Sequence, residues 1–327
     1  MRVGLAATVG FILAAAAFAA AGREVVGPQR IVSMNLCADE LVLRLGAPGT
    51  VRSVTWLARD PSISAVAAQA RHVPVNRGLA EEIVPLQPDL VVVGIYTTRT
   101  TVALLKRLNV PVLELDVPNT LPDAMRQILQ VAEALGRSER GAALVAEMEA
   151  AIARVQAEQR QAVQALPMQR TRPVAAVYNP NGFTVGAGSL VHDLMTRAGL
   201  RNLAAERRID NYGRLPLDLL LMAQPDLLIM NSIADRPPAL AYEVLQHPAL
   251  RQQFKPAQVV TMPPAWWTCA GPQLVDALAL LARAARARED ATVAGPARFA
   301  GGGDSSAQAE PRAPGRPAAL AADLPTR

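Results

Sequence analysis

Short aliphatic runs alternate with stretches of helical period along most of this chain. The runs Leu90–Val93 and Leu227–Met230 contain no polar residue, which suits strands covered on both faces of a parallel sheet. Between such runs, apolar positions recur at helical spacing and glycines mark the stops. In the first half the pattern predicts strand Arg30–Met34, helix Leu36–Leu45 ending at Gly46, and strand Val51–Thr55. Helix Thr98–Leu108, strand Val110–Leu115 and helix Leu121–Leu135, stopped by Gly136, follow. The second half gives strand Val174–Tyr178, a Gly/Asn-rich loop from Asn179 to Gly188, and helix Ser189–Ala198. A helix around Ala239–Leu245, strand Gln258–Met262 and helix Pro272–Ala287 complete it. Strand–helix alternation in both halves predicts two α/β lobes with mainly parallel sheets.

One phrase occurs in each half. Residues 79–94 and 216–231 align without a gap at an offset of 137 and share Gln-Pro-Asp-Leu, at Gln87–Leu90 and Gln224–Leu227. Proline disfavours helical backbone in the residue before it. A helix should therefore stop near Gln87 and near Gln224, with a buried strand after each aspartate. An acidic residue stands seven positions before each proline, Glu81 in one copy and Asp218 in the other. A second echo, offset by 153, relates Glu40–Gly46 to Asp193–Gly199. Two units in the same order predict two similar lobes, and two lobes predict a cleft.

Between the copies lies the longest uninterrupted helical pattern, Ser138 to Leu166, with Leu144, Met148, Ile152, Val155, Val163 and Leu166 at helical spacing. At ~1.5 Å per residue it spans ~40 Å. Its place predicts one long backbone helix joining the lobes. The expected organisation is a signal peptide over 1–21, an N-terminal lobe over 22–137, the connecting helix over 138–166, and a C-terminal lobe over 167–287. The last stretch, 288–327, is rich in Ala, Gly, Pro and Arg without periodicity and reads as a disordered tail.

Composition narrows the function classes. The chain has 327 residues, 51% of them hydrophobic, enough for a sizeable core. Its net charge of +5 rests on arginine, since Lys106 and Lys255 are the only lysines. Those arginines are scattered, with no dense run beside aromatics, so nothing points to nucleic acid. Arg2 followed by the apolar stretch Leu5 to Phe18 has the form of an export signal, with cleavage expected near Ala19 or Ala21. The stretch is short and alanine-rich for a hydrocarbon core of ~30 Å. No cysteine follows it to take a lipid, so the mature protein is expected to be soluble and outside the cytoplasm. Cys37 and Cys269 would then meet an oxidising compartment. They form either a bridge between the lobes or two buried free thiols.

Several chemistries are missing from the sequence. There is no P-loop, no G-x-S-x-G elbow and no H-E-x-x-H; Gly186-Ala-Gly188 lacks the third glycine of a dinucleotide site. His72, His192 and His247 lie far apart in sequence. What remains is a set of aromatic and polar residues in loops after predicted strands, where open α/β sheets bind ligands. Trp56, Trp266 and Trp267 all fall there, as do Tyr96, Thr97, Arg99, Tyr178, Asn179 and Phe183. Aromatics in such loops suit a large, partly flat ligand.

At four places the chain resembles a known family. They are Pro28-Gln-Arg-Ile-Val-Ser-Met-Asn35, Glu81-x-Ile83-x-x-Leu86-x-Pro88-Asp-Leu-Val91, the Ala-Gly-Leu-x-Asn at Ala198–Asn202, and Trp267-Thr-Cys-Ala-Gly271. The family is that of the periplasmic substrate-binding proteins of ABC importers for siderophores, haem and cobalamin, of the helical-backbone type. The resemblance runs from about Gln29 to Ala287. It implies a non-enzymatic monomer with two lobes, a shallow cleft, small hinge motion and no cofactor beyond the metal chelate it carries. It also implies one exposed acid per lobe to meet arginines of an ABC permease dimer. Glu81 matches the first of these. Asp218 matches the second in place but departs from the usual glutamate. The candidate ligand contacts are Asn35, Trp56, Arg77, Tyr96, Thr97, Arg99, Tyr178, Asn179, Phe183, Trp266 and Trp267.

Among the possible cargoes, haem favours Tyr96 as an axial ligand. A corrinoid favours stacking on Trp56 and on Trp266 or Trp267. An anionic ferric siderophore favours Arg77 and Arg99. With no histidine in a cleft loop, the residues lean to cobalamin or an iron–siderophore. The rival readings are a zinc or manganese importer's binding protein that uses the histidines, and an exported α/β enzyme.

Overall fold

The computed structural model describes residues 27–164, 172–232 and 240–294. The export signal, Leu166 and the segment from 295 onward lie outside the described residues. The first lobe runs β1 (Ile31–Ser33), α1 (Leu36–Leu45), β2 (Val51–Thr55), α2 (Ala67–Ala70), β3 (Val75–Asn76), α3 (Ala80–Ile83), β4 (Leu90–Gly94), α4 (Arg99–Arg107), β5 (Val112–Leu115) and α5 (Leu121–Ala134). The long α6 (Ser138–Gln164) follows. The second lobe runs β6 (Val174–Val177), β7 (Phe183–Val185), α7 (Leu190–Arg197), β8 (Arg201–Asn202), α8 (Leu203–Glu206), β9 (Tyr212–Arg214), α9 (Leu217–Ala223), β10 (Leu227–Asn231), α10 (Leu240–Glu243), α11 (Pro248–Gln253), β11 (Val259–Met262) and α12 (Leu274–Ala294). The final helix continues past the boundary expected at 288, because its backbone hydrogen bonding runs on to Ala294.

The first lobe has a five-stranded sheet in the order β3-β2-β1-β4-β5, and the second a four-stranded sheet in the order β11-β10-β6-β8. All pairs in both sheets are parallel. The chain therefore reverses its winding between β1 and β4 in one lobe, and between β6 and β10 in the other. These switch points open crevices at the carboxyl ends of the strands. A two-stranded antiparallel ribbon, β7 with β9, is added to the second lobe. Periodicity did not predict it, because its strands are three residues each.

The repeated phrase works as a corner in each lobe. Gln87 and Gln224 both end their helices in left-handed backbone, with φ 47° and 46°. The helices stop where proline predicts, but by a left-handed cap rather than the extended conformation that proline favours. The next aspartate then ties down the start of the neighbouring central strand. The Asp89 carboxylate accepts the N–H groups of Gln29 and Arg30 at 2.9 and 2.7 Å. The Asp226 carboxylate accepts the N–H of Val174 at 2.9 Å. In return, each aspartate N–H donates to the same strand start, at Arg30 O and Val174 O.

The long α6 joins the lobes as expected, and α5 crosses beside it. Leu144, Val145 and Met148 of α6 lie in the first lobe's core, and Ile152 and Val155 in the second's. The preceding α5 crosses in the opposite direction, with Ile128, Val131 and Ala132 in the first core and Leu121 and Ala124 in the second. A disulfide, Cys37–Cys269, adds a covalent tie between the lobes.

Candidate functional site

The crevice at the first lobe's switch point is built on Asn35. Its side-chain oxygen caps α1, accepting from the N–H groups of Cys37 and Ala38 at 2.9 and 3.4 Å. Its amide nitrogen lies where a side chain on Gly94 would sit, 2.9 Å from the ideal Cβ position. Asn35 is thus committed to bracing β1 against β4. Asn179 does the matching work in the second lobe. It is buried, and its side-chain oxygen accepts the N–H of Asn231 at 3.0 Å, bracing β6 against β10. Both were expected as ligand contacts, and the structure gives both a bracing role.

Two further candidates are buried in this structure. Tyr178 is 1% exposed and packs with Leu203, Leu215 and Leu220 beneath the second sheet. Burial, and then the Asp218 carboxylate, raise its phenol pKa. Trp267 is 6% exposed inside the second core, and its indole N–H donates to Asn231 Oδ1 at 3.0 Å. The neighbouring Trp266 stays half-buried against that core. A strand end therefore carries two kinds of tryptophan, and the residue alternation of a short turn decides which one faces inward.

The remaining residues form two exposed walls. On the first lobe stand Trp56 at the end of β2, Tyr96 after β4, Arg77 after β3, and Arg99 at the start of α4; Tyr96 is 82% exposed. The Thr97 hydroxyl accepts the N–H of Gly94 at 3.0 Å and closes the turn that holds Tyr96 outward. On the second lobe, the ribbon presents Phe183 and Tyr212 on one face, their rings stacked at 5.9 Å. Tyr212 and its exposed strand neighbour Arg214 were missed in the sequence, because nothing in a three-residue strand marks its facing side.

The two walls meet. The phenol of Tyr212 is held above its ordinary pKa by partial desolvation and by the phenol of Tyr96 on the opposite lobe. The structure thus stacks Phe183 on Tyr212 and leaves Tyr96, Trp56, Arg77, Arg99 and Arg214 exposed on the two lobes.

The histidines do not form a centre. His72 and His247 are exposed, His247 capping Ala249 N–H at 3.2 Å, and His192 lies 3.4 Å from Asn202 Nδ2. Among the described residues there is no cluster of three His, Cys, Asp or Glu able to hold a metal ion. No helix among them is long and apolar enough to cross a membrane.

The repeated acids are both exposed. Glu82 turns back, its carboxylate accepting the N–H groups of Arg77 and Leu79 at 2.6 and 3.3 Å, and this leaves Glu81 as the outward acid of α3. Asp218 is the exposed acid on the first turn of α9.

Residues 31–265 match the family profile of periplasmic binding proteins. The chain belongs to this family. No curated protein matches it. Among solved structures, this periplasmic binding protein is similar to the haem-binding protein RhuT of Roseiflexus sp. RS-1 in its apo form. That pair is 25% identical, with a TM-score of 0.63, covering 79% of this chain and 100% of the other. It also shares its fold with the vitamin B12 binding protein BtuF of Vibrio cholerae, at 16% identity and TM-score 0.62, covering 80% and 98%. A third likeness is to an ABC-type Fe3+-hydroxamate transport system of Saccharomonospora viridis DSM 43017, at 23% identity and TM-score 0.59, covering 79% and 93%.

Proposed function

We propose that this protein is exported to the periplasm, where it captures haem between its lobes and delivers it to an ABC importer. The observation that carries the choice of cargo is the pair of exposed tyrosines on opposite lobes, Tyr96 and Tyr212. A phenolate is a hard, anionic oxygen donor suited to ferric iron, and tyrosine is an established haem ligand type. Phe183, stacked on Tyr212, and the exposed Trp56 offer flat apolar surface for a macrocycle. Arg77, Arg99 and Arg214 suit the carboxylates that such a ligand carries at its edge. The 25% identity to a haem-binding relative supports the same choice. The sequence leaned to cobalamin or a siderophore for lack of a cleft histidine; a facing tyrosine pair removes that objection.

The three exposed arginines also favour a second reading, an anionic ferric siderophore. Titration of the purified protein with ferric protoporphyrin, cobalamin and several ferric siderophores separates them, read by absorption and tryptophan fluorescence. Haem is expected to bind saturably with a shifted absorption band, and Tyr96→Phe or Tyr212→Phe should weaken it at least tenfold. Haem binding that ignores both substitutions would overturn the tyrosine assignment. Saturable binding of a siderophore or cobalamin alone would replace the cargo and leave the transport reading in place.

Delivery would use Glu81 and Asp218, one exposed acid per lobe, facing cationic side chains of the permease dimer. Leu79 and Val84 flank Glu81, and Leu219 and Met222 flank Asp218, all exposed. Each acid thus has apolar surface beside it for the same contact.

A further inference from the structure

The seam between the lobes repeats one contact with the partners exchanged. The first helix of each lobe carries an acid at matching positions of the second sequence echo, Glu40 in α1 and Asp193 in α7. Each acid binds the start of the other lobe's last helix. Glu40 Oε2 accepts from the side-chain amide of Gln273, the residue before α12, at 2.5 Å. Asp193 Oδ2 accepts the N–H of Leu121, the first residue of α5, at 2.8 Å.

On the α1 side this contact is reinforced. Cys37, Glu40 and Arg44 follow one another at spacings of three and four, so they share a helix face. That face meets the turn 268–273 of the second lobe. Cys37 is bonded to Cys269, and Gln273 accepts from Arg44 Nη2 at 3.4 Å while donating to Glu40. Gln273 also donates to Cys269 O at 3.3 Å, which joins the covalent and polar parts. Glu40 and Gln273 are buried, at 0% and 5% exposure. A methyl on Gly271 would fall 2.3 Å from the Gln273 amide oxygen, so glycine there keeps room for the bridge. The seam adjoins the cleft: Cys37 is two residues from Asn35, and Cys269 is three from Trp266.

We propose that the Cys37–Cys269 disulfide and the Glu40–Gln273–Arg44 bridge form a redox latch at the cleft floor that sets how far the lobes separate and how fast ligand leaves. The latch rests on the cleft being the ligand site. In the oxidised protein the disulfide holds the α1 face on the turn, and the polar bridge stays dry and ordered. An external dithiol opens it by supplying two electrons. Its thiolate attacks the sulfur of Cys37, the partly exposed partner, and Cys269 leaves as a thiolate and takes up a proton. The reagent's second thiol then displaces Cys37 as a thiol and closes the reagent's own disulfide. The lobes remain joined by α5 and α6, but the floor of the cleft is held only by hydrogen bonds, and local opening becomes easier.

The test uses the full chain, oxidised and reduced with dithiothreitol, beside Cys37→Ser/Cys269→Ser and Gly271→Ala. Hydrogen exchange over Leu36–Leu45 and 268–273 reports the seam without any ligand, and stopped-flow dissociation of ferric protoporphyrin reports the cleft. Reduction is expected to speed exchange at both segments at least tenfold and ligand dissociation at least fivefold. The double serine variant should match reduced protein and ignore dithiothreitol. Gly271→Ala, with its disulfide intact, should give an intermediate exchange rate. If the double variant does not fold, reduced wild-type protein decides alone. Unchanged exchange after complete reduction would overturn the latch. Faster exchange with unchanged dissociation would reduce it to a structural staple and overturn its role in release. If ferric protoporphyrin does not bind at all, the haem reading fails, while exchange and the small-angle scattering radius still decide whether the disulfide limits lobe separation.

Discussion

Glu40 and Asp193 occupy equivalent places in the two lobes, and each binds the start of the other lobe's final helix. They differ in what surrounds them. Asp193 keeps a cation, Arg197 Nε at 2.8 Å. Glu40 is sealed from solvent, and burial pushes its carboxyl up to about 7, against the lowering effects of the Ala65 N–H, Arg44 and Gln273. Its neighbour Asp39, whose carboxylate accepts the N–H and hydroxyl of Thr55, is raised by burial to about 6.

These two groups give stability a definite pH dependence. A carboxyl whose folded pKa is raised holds its proton in the folded state over a range where the unfolded chain has lost it. Folding is then favoured at low pH, and the advantage is lost as pH rises. For Glu40, moving from 4.5 to about 7 corresponds to about 3 kcal/mol, present at pH 4 and gone by pH 8. Glu40→Gln should flatten the fall in unfolding free energy between pH 4.5 and 7, measured by denaturant titration at each pH. Parallel curves for wild type and variant would sink the assignment.

The aspartates of the repeated phrase make a second comparison. Asp89 and Asp226 each bind the start of a central strand from the next strand along, through charge-assisted bonds of 2.7–2.9 Å. Hydrogen bonds to charged groups contribute about 1.5–3 kcal/mol. Asp89→Ala and Asp226→Ala should each lower unfolding free energy by about that amount, with Asp89 the larger because it accepts two backbone N–H groups. Ligand affinity at saturating stability should not change. Loss of less than about 0.5 kcal/mol in both variants would show that the phrase is only a helix stop.

The scaffold was legible in the sequence because it rests on features that are local in the chain. The bounds of α1 and β2, the stop at Gly46 and the two Gln-Pro-Asp corners follow from apolar period and proline. The site was only half legible, because a side chain's direction at a strand end depends on the turn that follows. Trp56, Tyr96 and Phe183 point out, whereas Tyr178, Asn179 and Trp267 turn in. Tyr212 was invisible because it acts from a three-residue ribbon whose partner lies nearly thirty residues earlier. The seam was invisible too: Gln273 has no charge or pattern to mark it, and its role comes from a partner 233 residues away.

Docking to the permease can be separated from binding. Single exposed ion pairs contribute only ~0–1 kcal/mol, but two at fixed spacing on a rigid body orient the encounter. Glu81→Arg combined with Asp218→Arg should abolish ligand-dependent uptake through a reconstituted importer and leave ligand affinity within about twofold. Either single reversal should lower uptake partially, and its deficit should shrink at high salt, where the new like-charge repulsion is screened. Uptake that survives the double reversal would remove both acids from the interface.

The tryptophans provide the sharpest contrast between support and recognition. Trp267 fills the second core and satisfies Asn231 Oδ1 through its indole N–H, whereas Trp56 is 53% exposed with no such bond. Trp267→Ala removes a buried ring and leaves a polar partner behind it, so it should cost about 3–5 kcal/mol. Trp56→Ala should shift stability by no more than ~0.5 kcal/mol. On binding the order should reverse: Trp56→Ala is expected to weaken ligand about tenfold, and Trp267→Phe, which keeps an aromatic ring in the core, to leave affinity near wild type. Fluorescence sharpens the comparison, since the exposed indole should account for most of the quenching when ligand is added. If Trp267→Phe loses affinity while Trp56→Ala keeps it, the walls of the cleft have been assigned to the wrong tryptophan.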